Sequence, residues 1–322
     1  MFTRRALMAG AAGTLLAPRL RASVFPSRAV RIVVPYAVGI GPDVITRNVG
    51  ERLSRGWGQP VVVDNKPGAS GIVAFGDVRR TAPDGHTLYL ADTATLTVNP
   101  LLHASLPYDV ARDLVPLTLL FRATFVVWVG GGNRLRTLAD LLGAAQRTPG
   151  AVSYGSLGNG HASQVAVETF ASAARIRLLH VPFKDAGALF AAVASGEVDF
   201  TTFSMNSVAG LYAAGRLRPL AVAARQRLHT HPDIPTLPEA GGPPVEMHPW
   251  AAMVAVAGTP VPVLERLQHD IVDALGAAPV RQAAEQAGFE LMPSTPQALR
   301  ERIEADAALV RPLLAEGRIA RH

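Results

Sequence analysis

Short apolar runs rich in β-branched residues recur along this chain. They alternate with stretches whose apolar positions return every three or four residues. The first pattern predicts strands at Val30–Val34, Pro60–Asp64, Thr87–Ala91, Leu114–Leu120, Phe125–Val129, Ala151–Tyr154, Leu178–Val181, Val198–Thr202 and Leu217–Ala223. The second predicts helices at Pro42–Ser54, Leu138–Gln146, Ala162–Ala174, Ala186–Ala194 and Ser207–Ala214. Strands alternating with helices imply largely parallel sheets flanked by helices, an α/β fold. Capping residues agree. Thr137 precedes Leu138 with Asp140 three residues on, and Thr295-Pro296 opens a long final helix. Gly196 and Gly215 stand where helices should stop.

A chain of 322 residues suits two domains better than one. The stretch 122–223 reads as a self-contained lobe with strands on both sides. A Pro- and Gly-rich connector, His229 to Pro244, follows it. The tail then offers a strand at Ala251–Val256 and helices from Val261, Val280 and Pro296, which are expected to pack back on the first lobe. The expected division is therefore a discontinuous lobe of 23–121 plus 224–322, and a second lobe of 122–223.

The first 22 residues read as a secretory signal rather than as fold. Arg4-Arg5 precede a short apolar stretch, Ala9 to Ala17, and Leu20-Arg21-Ala22 offers a cleavage point. The paired arginines fit the twin-arginine route, and the apolar stretch is too short to span a bilayer. Cleavage after Ala22 removes Arg4, Arg5, Arg19 and Arg21, so the net charge falls from +6 to +2. The high pI is thus in part a property of the leader, and no basic stripe interleaved with aromatics points to nucleic acid. The absence of cysteine excludes disulfides, thiolate nucleophiles and cysteine-held metals. Only Lys66 and Lys184 are lysines, and neither lies in a phosphate-binding P-loop motif.

The candidate chemistry lies in two Gly-rich turns, each between a predicted strand and a predicted helix. The first runs from Pro35 to Asp43, with Gly39, Ile40, Gly41, Pro42 and Asp43 at the helix start. It reads as an anion-binding loop, or as a tight turn whose aspartate caps the helix. The second runs from Ser153 to Ser163 and adds the side chains of Ser156, Asn159, His161 and Ser163 to the free N–H groups of a helix start. It too reads as an anion site or as a polar turn. Neither has the dinucleotide fingerprint, and Gly155-Ser156-Leu157-Gly158 is not a nucleophile elbow. His161 is either a donor to an acidic ligand or a neutral capping residue, and His180 reads as a half-buried strand histidine. An exported hydrolase using Ser156 with His161 or His180 is the enzymatic alternative. No cofactor and no metal is expected.

These segments, in this order, resemble the periplasmic solute-binding proteins of tripartite tricarboxylate transporters, the Bug family. Val61–Gly71 (VVVDNKPGASG), Ala82–Thr87 (APDGHT), Leu106–Asp109 (LPYD), His180–Lys184 (HVPFK), Gly196–Asp199 (GEVD), Asp233–Thr236 (DIPT) and Ala257–Pro260 (AGTP) extend the match beyond the two turns. The resemblance implies a two-lobed periplasmic-binding-protein fold of type II, each lobe a mixed, mostly parallel sheet flanked by helices. It implies a monomer that performs no catalysis. Such a protein captures a small carboxylate between its lobes and delivers it to membrane permease subunits. The same fold serving a signalling partner, as a sensor or scavenger, is the alternative.

Carried over by motif, one side of the ligand site is Tyr36, Gly39, Ile40, Gly41 and Asp43, with Ala69 and Ser70 lining the same cleft. The other side is Ser156, Gly158, Asn159, His161, Ala162 and Ser163. The chain departs from the family pattern at Ile40, where a second glycine is usual, and at His161-Ala162-Ser163, where hydroxyl residues are usual. It departs again at Phe203, where an acid is frequent. Phe203 implies an apolar or aromatic carboxylate over an amino acid. Phe183 and Trp250 are read as further apolar wall or as core.

Overall fold

The computed structural model describes residues 25–321. The expected signal sequence lies outside the described residues. The first lobe begins with β1 (Val30–Val34), α1 (Gly41–Trp57), β2 (Val61–Asn65), α2 (Ile72–Val78) and β3 (Thr87–Asp92). It continues through α3 (Asn99–Leu102), α4 (Val110–Asp113) and β4 (Leu114–Ala123). The second lobe holds β5 (Val126–Gly130), α5 (Leu138–Arg147), β6 (Ser153–Ser156), α6 (Ala162–Ala173) and β7 (Leu179–Pro182). It ends with α7 (Ala186–Ser195), β8 (Phe200–Phe203), α8 (Ala209–Ala213) and β9 (Leu217–Val222). The chain then returns to the first lobe with β10 (Trp250–Val256), α9 (Val261–Leu275), α10 (Ala278–Gln286), β11 (Phe289–Leu291) and α11 (Pro296–Ala315).

Each lobe has its own sheet. The first is ordered β11-β4-β10-β3-β1-β2 and the second β7-β6-β8-β5-β9. Period-two alternation in β1 sends Val30, Ile32 and Val34 into the core beneath α1, α9 and α10, and Val33 into the core on the opposite face. In β5, Val127 and Val129 enter one core of the second lobe while Val126 and Trp128 enter the other. Both sheets are mixed, with more antiparallel pairing than strand–helix alternation predicts. β1 pairs in parallel with β2 and β3, and β6 with β7 and β8. β10 and β5 run antiparallel to both their neighbours. The cause is topological. Each is the strand that enters a lobe from the other one, so it enters at the edge where its neighbours leave.

The two chain crossings lie side by side. Ala123 N–H donates to Pro249 O at 2.8 Å, and Phe125 N–H to Met247 O at 3.1 Å. The second crossing therefore falls near 247–250, well after the boundary expected at 223. The reason is packing. The connector is rich in Pro and Gly, but Ile234, Leu237 and Met247 are buried in the second lobe's cores, and Leu237 N–H donates to Val222 O at 2.9 Å. Residues 224–247 thus belong with the second lobe.

The lobes also touch away from the crossings. Val98 and Leu102 share a buried cluster with Val310, Leu313 and Ile319, against Val165 of α6. Beyond α11, Arg318 forms an ion pair with Glu168 of α6 at 3.4 Å, and both side chains are buried. Tyr154 O–H donates to the same carboxylate at 2.7 Å. No helix among the described residues is long and apolar enough to cross a membrane.

Candidate functional site

The carboxyl ends of β1 and β3 lie next to each other because the two strands pair in parallel. The Gly-rich turn after β1 therefore sits beside the segment after β3. In that turn Asp43 points inward and is fully buried. Its carboxylate accepts from Gly39 N–H at 2.8 Å, Arg47 Nε at 2.9 Å and Asn65 Nδ2 at 2.7 Å. Burial works to raise this carboxyl, but the bonds from Arg47, Gly39 and Asn65 outweigh it and hold it below the usual carboxylate range. Asp43 thus fixes the loop. Gly39 takes a φ of +85°, which favours glycine. Ile40, the residue before α1, supplies no side-chain cap, and the N–H groups of Ile40 and Gly41 have no partner among the described residues.

The segment Gly68–Gly71 lines up beside this turn in an unusual conformation. Four consecutive residues have positive φ, including Ala69 at +45° and Ser70 at +48°. Such backbone persists only where its surroundings hold it. Here Asn99 Nδ2 donates to Ser70 O at 2.9 Å, and the Tyr89 hydroxyl donates to Gly71 O at 3.3 Å. The N–H groups of Ala69 and Ser70 have no partner among the described residues. Asn99 and Tyr89 flank a π-helical turn at Ala94–Val98, a rare element.

In the second lobe the turn after β6 is held from inside. Ser156 is fully buried, and its hydroxyl lies 2.6 Å from His180 Nε2. Gln164 accepts from Gly160 N–H through Oε1, so its Nε2 is the donor to His180 Nδ1 at 3.2 Å. His180 therefore carries its proton on Nε2 and donates it to Ser156. A histidine in that state cannot take the serine's proton, and its outer partner is an amide rather than a carboxylate. The Ser156 hydroxyl in turn bonds to Gly158 O at 3.1 Å, so it shapes the turn. The pair carries no hydrolase chemistry.

His161 is the residue preceding α6. Its Nδ1 accepts from Ser163 N–H at 3.1 Å and meets the Ser163 hydroxyl at 2.8 Å. Because Nδ1 accepts from that N–H it carries no proton, so the hydroxyl, which also accepts from Leu157 N–H at 3.2 Å, is its donor. The proton is left on Nε2, which has no hydrogen-bond partner among the described residues. Burial pushes the imidazole down to about 4, against an opposing effect of Asp92 in the first lobe. His161 is thus a neutral donor at neutral pH. Ala162 N–H, the first of α6, is also without a partner among the described residues.

The second turn meets the first lobe. Gly160 lies against Leu102 and Val98 of the first lobe, and Asn159 Nδ2 donates to Ala320 O at 2.9 Å. Tyr36 reaches across the end of β3, where its hydroxyl donates to Asp92 Oδ2 at 2.6 Å. The other Asp92 oxygen accepts from Thr95 N–H at 2.8 Å and from its hydroxyl at 2.9 Å.

The aromatic residues expected as wall are placed differently. Trp250 is buried in the first lobe, with Nε1 bonded to Asp306 Oδ2 at 2.5 Å. It is core. Phe203 is buried against Phe125 and Phe190, with the His161 ring stacked over it at 6.5 Å between centroids. It therefore backs the histidine and does not present its own face. Phe183 is half-buried beside Leu189 and Gly155.

Two shallow surface grooves lie elsewhere, one between α1 and α9 and the other along α5, and neither gathers these polar groups. Among the described residues no group of three or more His, Cys, Asp or Glu is placed to hold a metal ion.

Two α/β lobes joined by a paired crossing, each with a Gly-rich turn leading from a strand into a helix, define a two-lobed binding protein. Residues 45–317 match the family model described as tripartite tricarboxylate transporter family receptor, and the chain belongs to this family. A Pseudomonas protein (strain P51) from the tcbD-tcbE intergenic region is 33% identical over 320 residues, covering 98% of this chain and 95% of that protein. The structure of Rpa4515 from R. palustris with adipate superposes with a TM-score of 0.81 at 28% identity, covering 92% of this chain and 100% of the other. MatC from Rhodopseudomonas palustris, with bound malate, gives 0.75 at 26% identity, covering 88% and 98%. The family consists of solute-binding proteins, not enzymes.

Proposed function

We propose that this chain is a periplasmic receptor that captures a small carboxylate between its lobes and presents it to the permease of a tripartite transporter. One observation carries the reading. Backbone donors of Ile40, Gly41, Ala69 and Ser70 in one lobe, and Ala162 N–H and His161 Nε2–H in the other, have no partner among the described residues, and Asp92, bonded to Tyr36 of the first turn, lies within electrostatic reach of His161. An anion at such helix starts meets both N–H groups and the positive end of each dipole. Adipate and malate in the related structures are carboxylates, which supports the same ligand class here. Tyr36, Gly39, Gly158 and Asn159 complete the surround, while Asp43, Ser156 and Ser163 hold the turns in shape. Closure of the lobes around the ligand, about the paired crossing, is the mechanism.

The test is thermal melting of the protein, unfolded and refolded to strip co-purified ligand, against a panel of aliphatic and aromatic mono- and dicarboxylates. A ligand at a hundred times its Kd stabilises by about 2.7 kcal/mol, which is several degrees for a protein of this size. If no panel member shifts the transition, the carboxylate reading fails.

A further inference from the structure

Asp92 is a carboxylate placed where an anion receptor would be expected to avoid one. It ends β3, next to the turn after β1, and the Tyr36 hydroxyl from that turn is bonded to it at 2.6 Å. The segment that follows it, through Val98 and Leu102, packs on Gly160 of the other lobe. The neighbour of Gly160, His161, lies within the electrostatic reach of Asp92. Asp92 is half-buried and is the acceptor in all three of its hydrogen bonds. A carboxylate oxygen has room for further donors beyond these. In the other lobe, His161 offers an N–H with no partner among the described residues. Near the interlobe contact of Gly160 with Val98 and Leu102 there are thus two kinds of polar group: unpartnered backbone donors in the turns, and the Asp92 acceptor within electrostatic reach of the His161 N–H.

We propose that Asp92 is the specificity-determining residue of this site. It selects a monocarboxylate whose other end is a carboxamide or a hydroxyl, and it rejects a diacid. This rests on the carboxylate reading above. A carboxamide or hydroxyl both donates and accepts, so it satisfies Asp92 and His161 together. A second carboxylate could accept from His161 but would face Asp92 as a like charge in a closed, poorly solvated space. Tyr36 and Thr95 hold the Asp92 carboxylate in place, and the stack on Phe203 holds the His161 ring. The discrimination therefore falls on Asp92, since the diacid satisfies His161 but sets a like charge against Asp92 in place of a donor.

The experiment measures calorimetric affinities of the full chain for two matched series of four and six carbons. Each series holds the diacid, its monoamide and the ω-hydroxy acid. The wild type is expected to bind a monoamide or hydroxy acid at least 10-fold more tightly than the matching diacid. In Asp92→Asn, whose Oδ1 still accepts from Thr95 while its Nδ2 donates to the Tyr36 hydroxyl oxygen, that ratio should fall at least 10-fold. A wild type that holds the diacid equally well or better overturns the proposal and leaves the carboxylate receptor standing. An unchanged ratio in Asp92→Asn also overturns it. Failure to bind any member of either series, alongside a null carboxylate panel, removes the receptor reading itself.

Discussion

Gly160 is the point where lobe closure is most directly exposed to a single methyl group. Its φ of +75° favours glycine, and a Cβ there would overlap Cδ1 of Leu102 and touch Val98 Cγ1 at 3.6 Å. Gly160→Ala therefore has two costs. The left-handed conformation costs about 1–2 kcal/mol in a lobe considered alone. The overlap costs about 1–3 kcal/mol more, because Leu102 is 1% exposed and packed on all sides. The two costs separate by assay. Backbone strain exists whether the lobes are open or closed, so it lowers the melting temperature of ligand-free protein. The overlap is between lobes and vanishes on opening, so it weakens ligand binding by roughly 5- to 150-fold. Leu102→Ala alone also weakens closure by loosening the interlobe cluster. In the double variant, however, the methyl has the space that Leu102 vacated. Calorimetric affinities for the tightest carboxylate of the panel, measured on all four proteins, should show a coupling of about 1–3 kcal/mol in the rescuing direction. Losses that simply add, within about 0.5 kcal/mol, would show that these residues do not meet in the liganded protein.

Gly71→Ala, at φ +87° with Thr95 Oγ1 and the Tyr89 hydroxyl where the methyl would go, should cost about 2–5 kcal/mol in denaturant unfolding. A loss below about 1 kcal/mol would mean the loop readily adopts another shape. Arg318→Met leaves Glu168 buried beside Tyr154 without its cation and should destabilise by about 3–5 kcal/mol, while Arg318→Met with Glu168→Gln should recover most of it. Equal stability of the two variants would place no charge strain at Glu168. The fall of His161 from about 6.5 unfolded to about 4 folded means that the unfolded chain binds the extra proton. Its contribution, about 3 kcal/mol, is fully present above pH 6.5 and lost as pH falls towards 4. His180 and His248 are displaced in the same direction by burial, so the measurement is the difference between wild type and His161→Gln in melting temperature against pH. Identical slopes would contradict the burial of His161.

What could be read from sequence was whatever is local. Period-two runs located β1, β3 and β5, and Thr137 with Asp140 located the start of α5, where the reciprocal capping bonds are formed. The turns were legible because Gly, Pro and a polar cap between a strand and a helix leave few alternatives. What escaped depends on partners far apart in the chain. Asp92 resembles any polar residue closing a strand until Tyr36, 56 residues earlier, is seen bonded to it. The usable signal was its position, at the carboxyl end of an apolar strand in an α/β sheet, where sites gather. Ser156 and His180 are 24 residues apart, and only the parallel pairing of β6 with β7 brings them together. The place of the connector with the second lobe has no local signal, because Ile234, Leu237 and Met247 are isolated apolar residues with no period. Trp250 reads equally as wall or core, and Phe203 as a ligand-facing position, because an aromatic residue in a strand looks the same from either side.

The direction in which the polar groups of the two turns point changes what mutation can reveal. Asp43, Ser156, Ser163 and His180 look like ligand contacts by residue type, yet their hydrogen bonds run to the turns themselves. Removing one alters the angle of several N–H groups at once, so loss of affinity there would report on shape. On the proposed reading the grip on a carboxylate is backbone, and backbone donors recognise the anion without recognising the rest of the molecule. Selectivity would then come from the few side chains that can still take a further partner there. Asp92 and His161 meet that condition, from opposite lobes. Because they approach each other only when the lobes meet, the chemistry that distinguishes one carboxylate from another is assembled by closure. A poorly matched ligand would therefore bind the open protein through its carboxylate and fail to hold it shut.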